Sequence, residues 1–116
     1  MSNSRDERLF LENILESIRA IESYIVDLSF DDFVADRKTF SATIREFEII
    51  GEAVANISEE TKGRFPDILW KQMKAFRNKL IHEYFGVDAR IVWDAARNEL
   101  PEVKRRVIEL LSSCPG

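Results

Sequence analysis

The residues best suited to chemistry in this 116-residue chain lie in one short run, from Arg77 to Tyr84. His82 is the only histidine of the chain, and histidine is the side chain whose ordinary pKa lies near neutral pH, so that it can give or take a proton there. Arg77 lies five residues earlier and carries a fixed positive charge on a planar fork that fits phosphate oxygens. Together these residue types indicate chemistry on a phosphate ester.

The spacing within this run decides which side chains can act together. On a helix, Asn78 and His82 are four residues apart and share a face, whereas Arg77 and His82 lie about 140° apart around the axis. A single chain therefore does not bring the arginine and the histidine into a tight pair. If two such helices meet across a twofold axis, each protomer supplies one histidine and one arginine to a shared cleft.

A dimer would also meet the needs of metal-free RNA cleavage. That reaction requires a base for the 2′-OH proton and an acid for the 5′-oxygen leaving group. One histidine cannot easily fill both roles at once, but His82 from two protomers can. Arg77 would then stabilise the charge that develops on the phosphorane.

Composition limits the alternatives. The net charge of −4 argues against broad, nonspecific binding of nucleic acid, yet six basic residues against one acid between Lys62 and His82 leave a local basic site. A single cysteine, Cys114, permits no intramolecular disulfide and favours a cytoplasmic location. No apolar run approaches the roughly 20 residues that cross a membrane. Without a zinc-binding set or a glycine-rich phosphate loop, we expect no metal and no cofactor.

Long helices are predicted around this run. Only four Gly and three Pro are present, and apolar residues recur at spacings of three and four over 5–28 and 37–57, which predicts two amphipathic helices. Gly51 lies inside the second helix, where it indicates close approach of another helix. Between the two helices, Phe30 and Phe33 are expected to plug the end of the bundle.

The second half of the chain predicts two further helices. Gly63 and Pro66 mark a loop, after which a third helix begins near Asp67 or Ile68. Asp88 is a suitable N-cap for the last helix, and Pro101 should kink or interrupt it. Trp70 and Trp93 are expected in the core or at a dimer contact. The chain 1–116 is thus predicted to be one all-α domain, a bundle of four main helices with a short extra helix.

The motif run resembles a known family. The pattern Arg77-Asn78-x-x-x-His82-x-Tyr84 resembles the signature of HEPN-domain ribonucleases, in particular the HepT toxin branch. Residues 49–53, 66–70, 84–88 and 92–93 are similar to the segments that flank the motif in that branch. Phe76 is a departure, because methionine is expected before the arginine. The resemblance covers the chain from the Phe33 region to Pro101.

The resemblance implies a specific function. It implies a HEPN-like, homodimeric toxin of a toxin–antitoxin pair, an endoribonuclease without metal whose catalytic residues are Arg77 and His82 in a composite dimer cleft. It also implies an antitoxin, a nucleotidyltransferase of the MNT type, that silences the toxin by attaching AMP to Tyr84. Added bulk and negative charge at the cationic cleft would repel an RNA phosphate.

Several roles stay open at the level of sequence. Asn78 would orient His82 or contact the scissile phosphate, and Lys74 and Lys79 are candidates for RNA contacts or simply solvated surface. Glu52 either reaches the same cleft or caps a loop. The alternative function is a non-catalytic helical binding partner of a nucleotidyltransferase, which would hold a nucleotide or present Tyr84. A third is a purely structural dimeric bundle.

Overall fold

The described residues form seven α-helices. The computed structural model describes residues 4–82 and 88–113, with side chains for 7–80 and 88–113. The helices are α1 (Ser4–Ile25), α2 (Phe30–Ala35), α3 (Arg37–Ala55), α4 (Glu59–Arg64), α5 (Trp70–His82), α6 (Ala89–Asp94) and α7 (Leu100–Ser113), and a π-helical turn, Ala95–Glu99, joins the last two. The described ranges contain no strand. The predicted all-α, HEPN-like fold class is confirmed.

The core lies between the long helices. α3 is central, because it packs against both α1 and α5, and α7 packs against α1. One face of each helix is apolar at the helical period and turns inward. The buried side chains on α1 and α3 include Leu11, Ile14, Ile18, Ile21, Ile44, Phe47, Ile50 and Val54. These buried residues form the apolar faces that the spacing of three and four residues predicted for the two helices.

Local capping sets where the helices begin. The Ser29 hydroxyl accepts a hydrogen bond from the Asp32 backbone N–H at 3.1 Å, while the Asp32 carboxylate accepts one from the Ser29 N–H at 3.2 Å. This capping box starts α2. α1 ends at Ile25 rather than continuing to 28 as predicted, and the Leu28 N–H donates to the Ile25 carbonyl at 3.1 Å in the turn between the two helices. Asp88 caps α6 as predicted, its carboxylate accepting from the Arg90 N–H at 2.9 Å.

Aromatic side chains close one end of the bundle. Phe33 is fully buried, and its ring lies 5.2 Å from the ring of Trp93 and 5.5 Å from that of Phe40. Phe30 meets the same tryptophan edge-on at 6.1 Å. The expected plug by Phe30 and Phe33 is therefore confirmed, and Trp93 is a core residue.

The predicted interruption at Pro101 takes the form of the π-helical turn. Proline has no N–H to donate, and its ring crowds the carbonyl four residues earlier in a regular helix. The wider turn over Ala95–Glu99 ends just before the proline, and the Leu100 N–H reaches back to the Ala95 carbonyl. The change of helical pitch falls where the regular hydrogen-bond pattern cannot continue.

Two boundaries before the motif helix differ from the sequence-based prediction. Gly63, expected in a loop, lies inside α4, since the Ser58 cap and acidic residues in the first turn favour a helix there. α5 begins at Trp70, not near Asp67. The Trp70 indole N–H donates to the Phe65 carbonyl at 3.0 Å, which holds residues 65–69 as a turn that leads into α5.

Candidate functional site

The exposed face of α5 is basic and polar. Lys71, Lys74 and Asn78 are all exposed, and their spacings of three and four place them along one side of the helix. His82 is the last residue of α5. The backbone is therefore helical from Asn78 to His82, as predicted, and the two positions lie four residues apart on one face. A basic face therefore leads along α5 to the position of the histidine.

Arg77 lies at the edge of this face, where α5 meets α3. Its side chain is only 19% exposed, because the stem lies directly over Gly51 of α3. A Cβ at position 51 would be 2.2 Å from the Arg77 Cβ, 2.5 Å from its Cγ and 3.3 Å from the Met73 carbonyl oxygen. Only glycine permits this approach, which confirms the reason predicted for Gly51.

The head of Arg77 is held by Glu52, the residue next to that glycine. The Arg77 Nη1 donates to the Glu52 Oε2 at 2.7 Å, a charge-assisted hydrogen bond. The Arg77 Nε is buried and has no acceptor among the described residues. The question left open for Glu52 is thereby settled in part, because its side chain reaches the arginine of the motif run.

A shallow groove opens beside this ion pair. It has a volume of about 230 Å³ and is lined by Arg45, Glu48, Ile49, Glu52 and Arg77. Arg45 is exposed and lies seven residues before Glu52, which places both side chains on one stripe of α3, two turns apart. Arg45 was not predicted from the sequence as a site residue. The i, i+7 spacing from Glu52 could have suggested it, but only after the partner of Glu52 was known.

Apolar packing behind α5 fixes the position of the face. The Phe47 and Phe76 rings meet edge-on at 5.0 Å between centroids, and Leu80 is fully buried. Phe76, the departure from the family pattern, is thus an ordinary packing residue between α3 and α5. Trp70 is 6% exposed, which confirms its prediction as a core residue.

An ion pair ties the start of α5 to α7. The Arg106 Nη2 donates to the Asp67 Oδ1 at 2.9 Å, and its Nε lies 2.7 Å from the Oδ2. The hydrogen bond from Arg106 holds the pKa of the Asp67 carboxyl below its ordinary value. The guanidinium also lies over the Phe65 ring at 5.2 Å. The turn that precedes the motif helix is therefore held from the far end of the chain.

The structure brings some of the predicted site residues together. Arg77, Asn78, Lys74 and Lys79 all lie on α5; the first is largely buried and the other three are exposed. Lys79 points to a different side of the helix, about 100° from Asn78 in register. Tyr84 lies outside the described residues, and so does the side chain of His82. Their predicted roles stay predictions.

The described residues also bear on metal sites and on membrane insertion. Among the side chains of 7–80 and 88–113, no group of three or more histidine, cysteine, aspartate or glutamate residues is arranged to hold a metal ion. No helix within 4–82 and 88–113 is long and apolar enough to span a membrane.

Comparison with known proteins places the chain in a family. The model of the family described as "Ribonuclease HepT-like" matches residues 14–110. The chain is 40% identical over 112 residues to "Putative RNase MJ0127" of Methanocaldococcus jannaschii, covering 97% of this chain and 93% of that protein. It is 42% identical over 106 residues to "Probable ribonuclease HepT" of Thermococcus cleftensis, covering 91% and 96%. No solved structure gives a significant match.

The helical bundle with its motif arginine on α5 is thus that of the HEPN superfamily. Within it, the chain belongs to the ribonuclease HepT-like family. The predicted resemblance is confirmed, and so, at the level of the family, is the prediction of a ribonuclease.

Proposed function

We propose that this protein is the toxin of a toxin–antitoxin pair and acts as a metal-independent endoribonuclease in the form of a homodimer. The observation that carries the proposal is the placement of Arg77. Its stem is fixed over Gly51 and its head by Glu52, on a family-matched helix that exposes Asn78 and ends at His82. A preorganised cation beside a proton-transfer residue suits phosphoryl transfer.

The proposed reaction uses two copies of α5. One His82 takes the proton from the ribose 2′-OH as the 2′-oxygen attacks phosphorus, and the partner's His82 gives a proton to the departing 5′-oxygen. The products are a 2′,3′-cyclic phosphate and a 5′-hydroxyl, and proton exchange with water resets the two histidines. Arg77 stabilises the extra charge on the phosphorane, and Asn78 orients His82 or the scissile phosphate.

Control is proposed to act on Tyr84. A nucleotidyltransferase antitoxin of the MNT type would transfer AMP from ATP to its hydroxyl, two residues beyond His82 in sequence, with release of pyrophosphate and of the hydroxyl proton. Each AMP would bring a negative phosphodiester and a bulky base close to the basic face of α5. RNA would then be repelled electrostatically and excluded sterically.

The test is cleavage of RNA by the purified protein, produced without its partner and assayed in EDTA. Wild type should leave 2′,3′-cyclic phosphate ends, while Arg77→Ala and His82→Ala should each reduce kcat by about 10²- to 10⁴-fold. Arg19→Ala, which removes an exposed arginine on α1, is the matched control and should cleave as wild type does.

Two results would count against this function. Normal cleavage by both the Arg77 and the His82 variants would remove them from the reaction. Absence of cleavage by a protein whose intact mass shows no modification, together with a stable transferase complex, would establish the alternative of a non-catalytic binding partner.

A further inference from the structure

We propose that Glu52 is a positioning residue for Arg77: it holds the guanidinium of the motif arginine in the orientation that receives an RNA phosphate. This inference rests on the proposed function. It assigns a role in the reaction to a residue of α3, outside the run from Arg77 to Tyr84 that carries the signature.

The two ends of the Arg77 side chain are fixed by neighbouring residues of α3. Gly51 lets the stem pack against the α3 backbone, where a Cβ would stand 2.2 Å away. Glu52 then binds the head at 2.7 Å through Nη1. A guanidinium carries five N–H groups in a fixed plane. The bond at Nη1, together with the packed stem, restricts the orientation of that plane and leaves the N–H groups of Nη2 for another acceptor.

The exposure of the pair argues for orientation rather than stability. The Glu52 side chain is 66% exposed, and ion pairs near the surface contribute little to the free energy of unfolding. The adjoining groove, lined by Arg45, Glu48 and Glu52 beside Arg77, is open to a ligand. A carboxylate that adds little to folding but fixes the direction of a motif cation is suited to preorganisation.

A different role for the same carboxylate must be separated from this one. An exposed carboxylate beside an RNA site could itself take the 2′-OH proton, and its effect on the rate would then be independent of Arg77. A positioning residue acts only through the residue that it positions. A double-mutant cycle between positions 52 and 77 distinguishes the two roles.

The experiment measures kcat and KM for RNA cleavage by Glu52→Ala, Glu52→Gln, Arg77→Ala and the Glu52→Ala/Arg77→Ala double variant. We expect Glu52→Ala to reduce kcat by about 10- to 100-fold with little change in KM. Glu52→Gln keeps an acceptor oxygen and should recover most of that loss. In the Arg77→Ala background, Glu52→Ala should cause no further loss. Glu16→Ala, which removes an exposed carboxylate on α1 outside this groove, is the matched control and should leave kcat unchanged.

A second readout does not depend on activity. The NMR order parameter of the Arg77 Nε–H should fall in Glu52→Ala and stay unchanged in Glu16→Ala, with urea midpoints close to wild type in both. An unchanged order parameter would overturn the inference. So would a normal kcat in Glu52→Ala, a loss in Glu52→Gln as large as in Glu52→Ala, or an additive loss in the double variant. Full activity of Arg77→Ala would instead refute the proposed function.

Discussion

The Cα of Gly51 lies directly beneath the side-chain stem of Arg77, so that a methyl group on the glycine would stand 2.2 Å from the arginine Cβ. The Cβ of Arg77 is attached to its backbone and cannot move without α5. Position 51 therefore sets the separation of α3 and α5 and, with it, the place of the motif arginine.

The first prediction is that Gly51→Ala disturbs both stability and cleavage. Overpacking of this kind costs about 1–3 kcal/mol, and the gain in helix propensity of up to about 1 kcal/mol offsets it only in part. We expect the free energy of unfolding in urea to fall by about 1–2 kcal/mol on this balance. RNA cleavage should fall more than tenfold, because a displacement of about 1 Å can cost about 10²-fold in rate.

Gly63→Ala is the matched control for that substitution. Gly63 is also helical, but no atom of a described residue lies within 4 Å of a Cβ added there. The variant should be as stable as wild type or more stable by up to about 1 kcal/mol, with unchanged cleavage. A Gly51→Ala protein that matches Gly63→Ala in both measurements would show that the close approach is not required.

The second prediction concerns stability in acid and the carboxyl of Glu7. Its Oε1 accepts from the Ser58 backbone N–H at 2.7 Å, and its Oε2 accepts from the Thr61 hydroxyl at 2.5 Å, which joins α1 to the cap of α4. Burial raises the pKa of Glu7, but these hydrogen bonds outweigh burial and hold the pKa below its ordinary value of 4.5. The folded state therefore binds this proton less tightly than the unfolded chain.

The sign of the pH dependence follows from that lowered pKa. The contribution of Glu7 is fully present above pH 4.5 and is lost as the pH falls through the lower pKa of the folded state. Glu7→Gln should cost about 1 kcal/mol at pH 7 and progressively less as the pH falls. Urea unfolding across this pH range measures it, with Glu16→Gln on the exposed side of α1 as the control. A difference from wild type that grows in acid would contradict the prediction.

The third prediction is that Lys74 binds RNA through its charge. Lys74→Ala should raise KM a few-fold with kcat little changed, and the slope of log affinity against log salt should weaken by about 0.7, the value for one phosphate contact on a single strand. Fluorescence binding titrations at several salt concentrations give the slope. Lys38→Ala, an exposed lysine at the start of α3, should leave the slope unaltered. Equal slopes for both variants would remove Lys74 from the interface.

The fourth prediction concerns silencing at Tyr84. Incubation with the transferase partner and ATP should add AMP to the chain, seen as a gain in intact mass, and abolish RNA cleavage. Tyr84→Phe should gain no mass and keep its cleavage activity in the presence of the partner. Modification of Tyr84→Phe at another residue would show that the control site lies elsewhere.

Sequence periodicity was sufficient to predict the long helices, but it did not predict which residues of different helices are in contact. The stripes on α1 and α3 predict burial because side chains three and four residues apart share a face. The close approach of another helix at Gly51 could also be predicted, because a glycine inside a predicted helix is itself a local signal. The partner of that approach, Arg77, is 26 positions away, and no local pattern connects the two.

The same limit applies to the candidate site. The motif run pointed to Arg77 and Asn78 because their chemical types and spacing are visible in eight residues. The role of Glu52 stayed open and Arg45 was missed, since both lie on another helix and are brought to the site by packing. Gly63 and the start of α5 were predicted wrongly because a serine cap and a tryptophan–carbonyl hydrogen bond outweighed the loop signal of glycine and proline.

The pair of Asp67 and Arg106 has a consequence for the order in which the protein is completed during synthesis. Arg106 belongs to α7, which also packs on α1. A nascent chain that has released α5 but still holds α7 inside the ribosome has the motif arginine without the ion pair that holds the preceding turn. Assembly of the bundle around α5 therefore waits for α7 to emerge, and until then the motif lies in an unfinished domain.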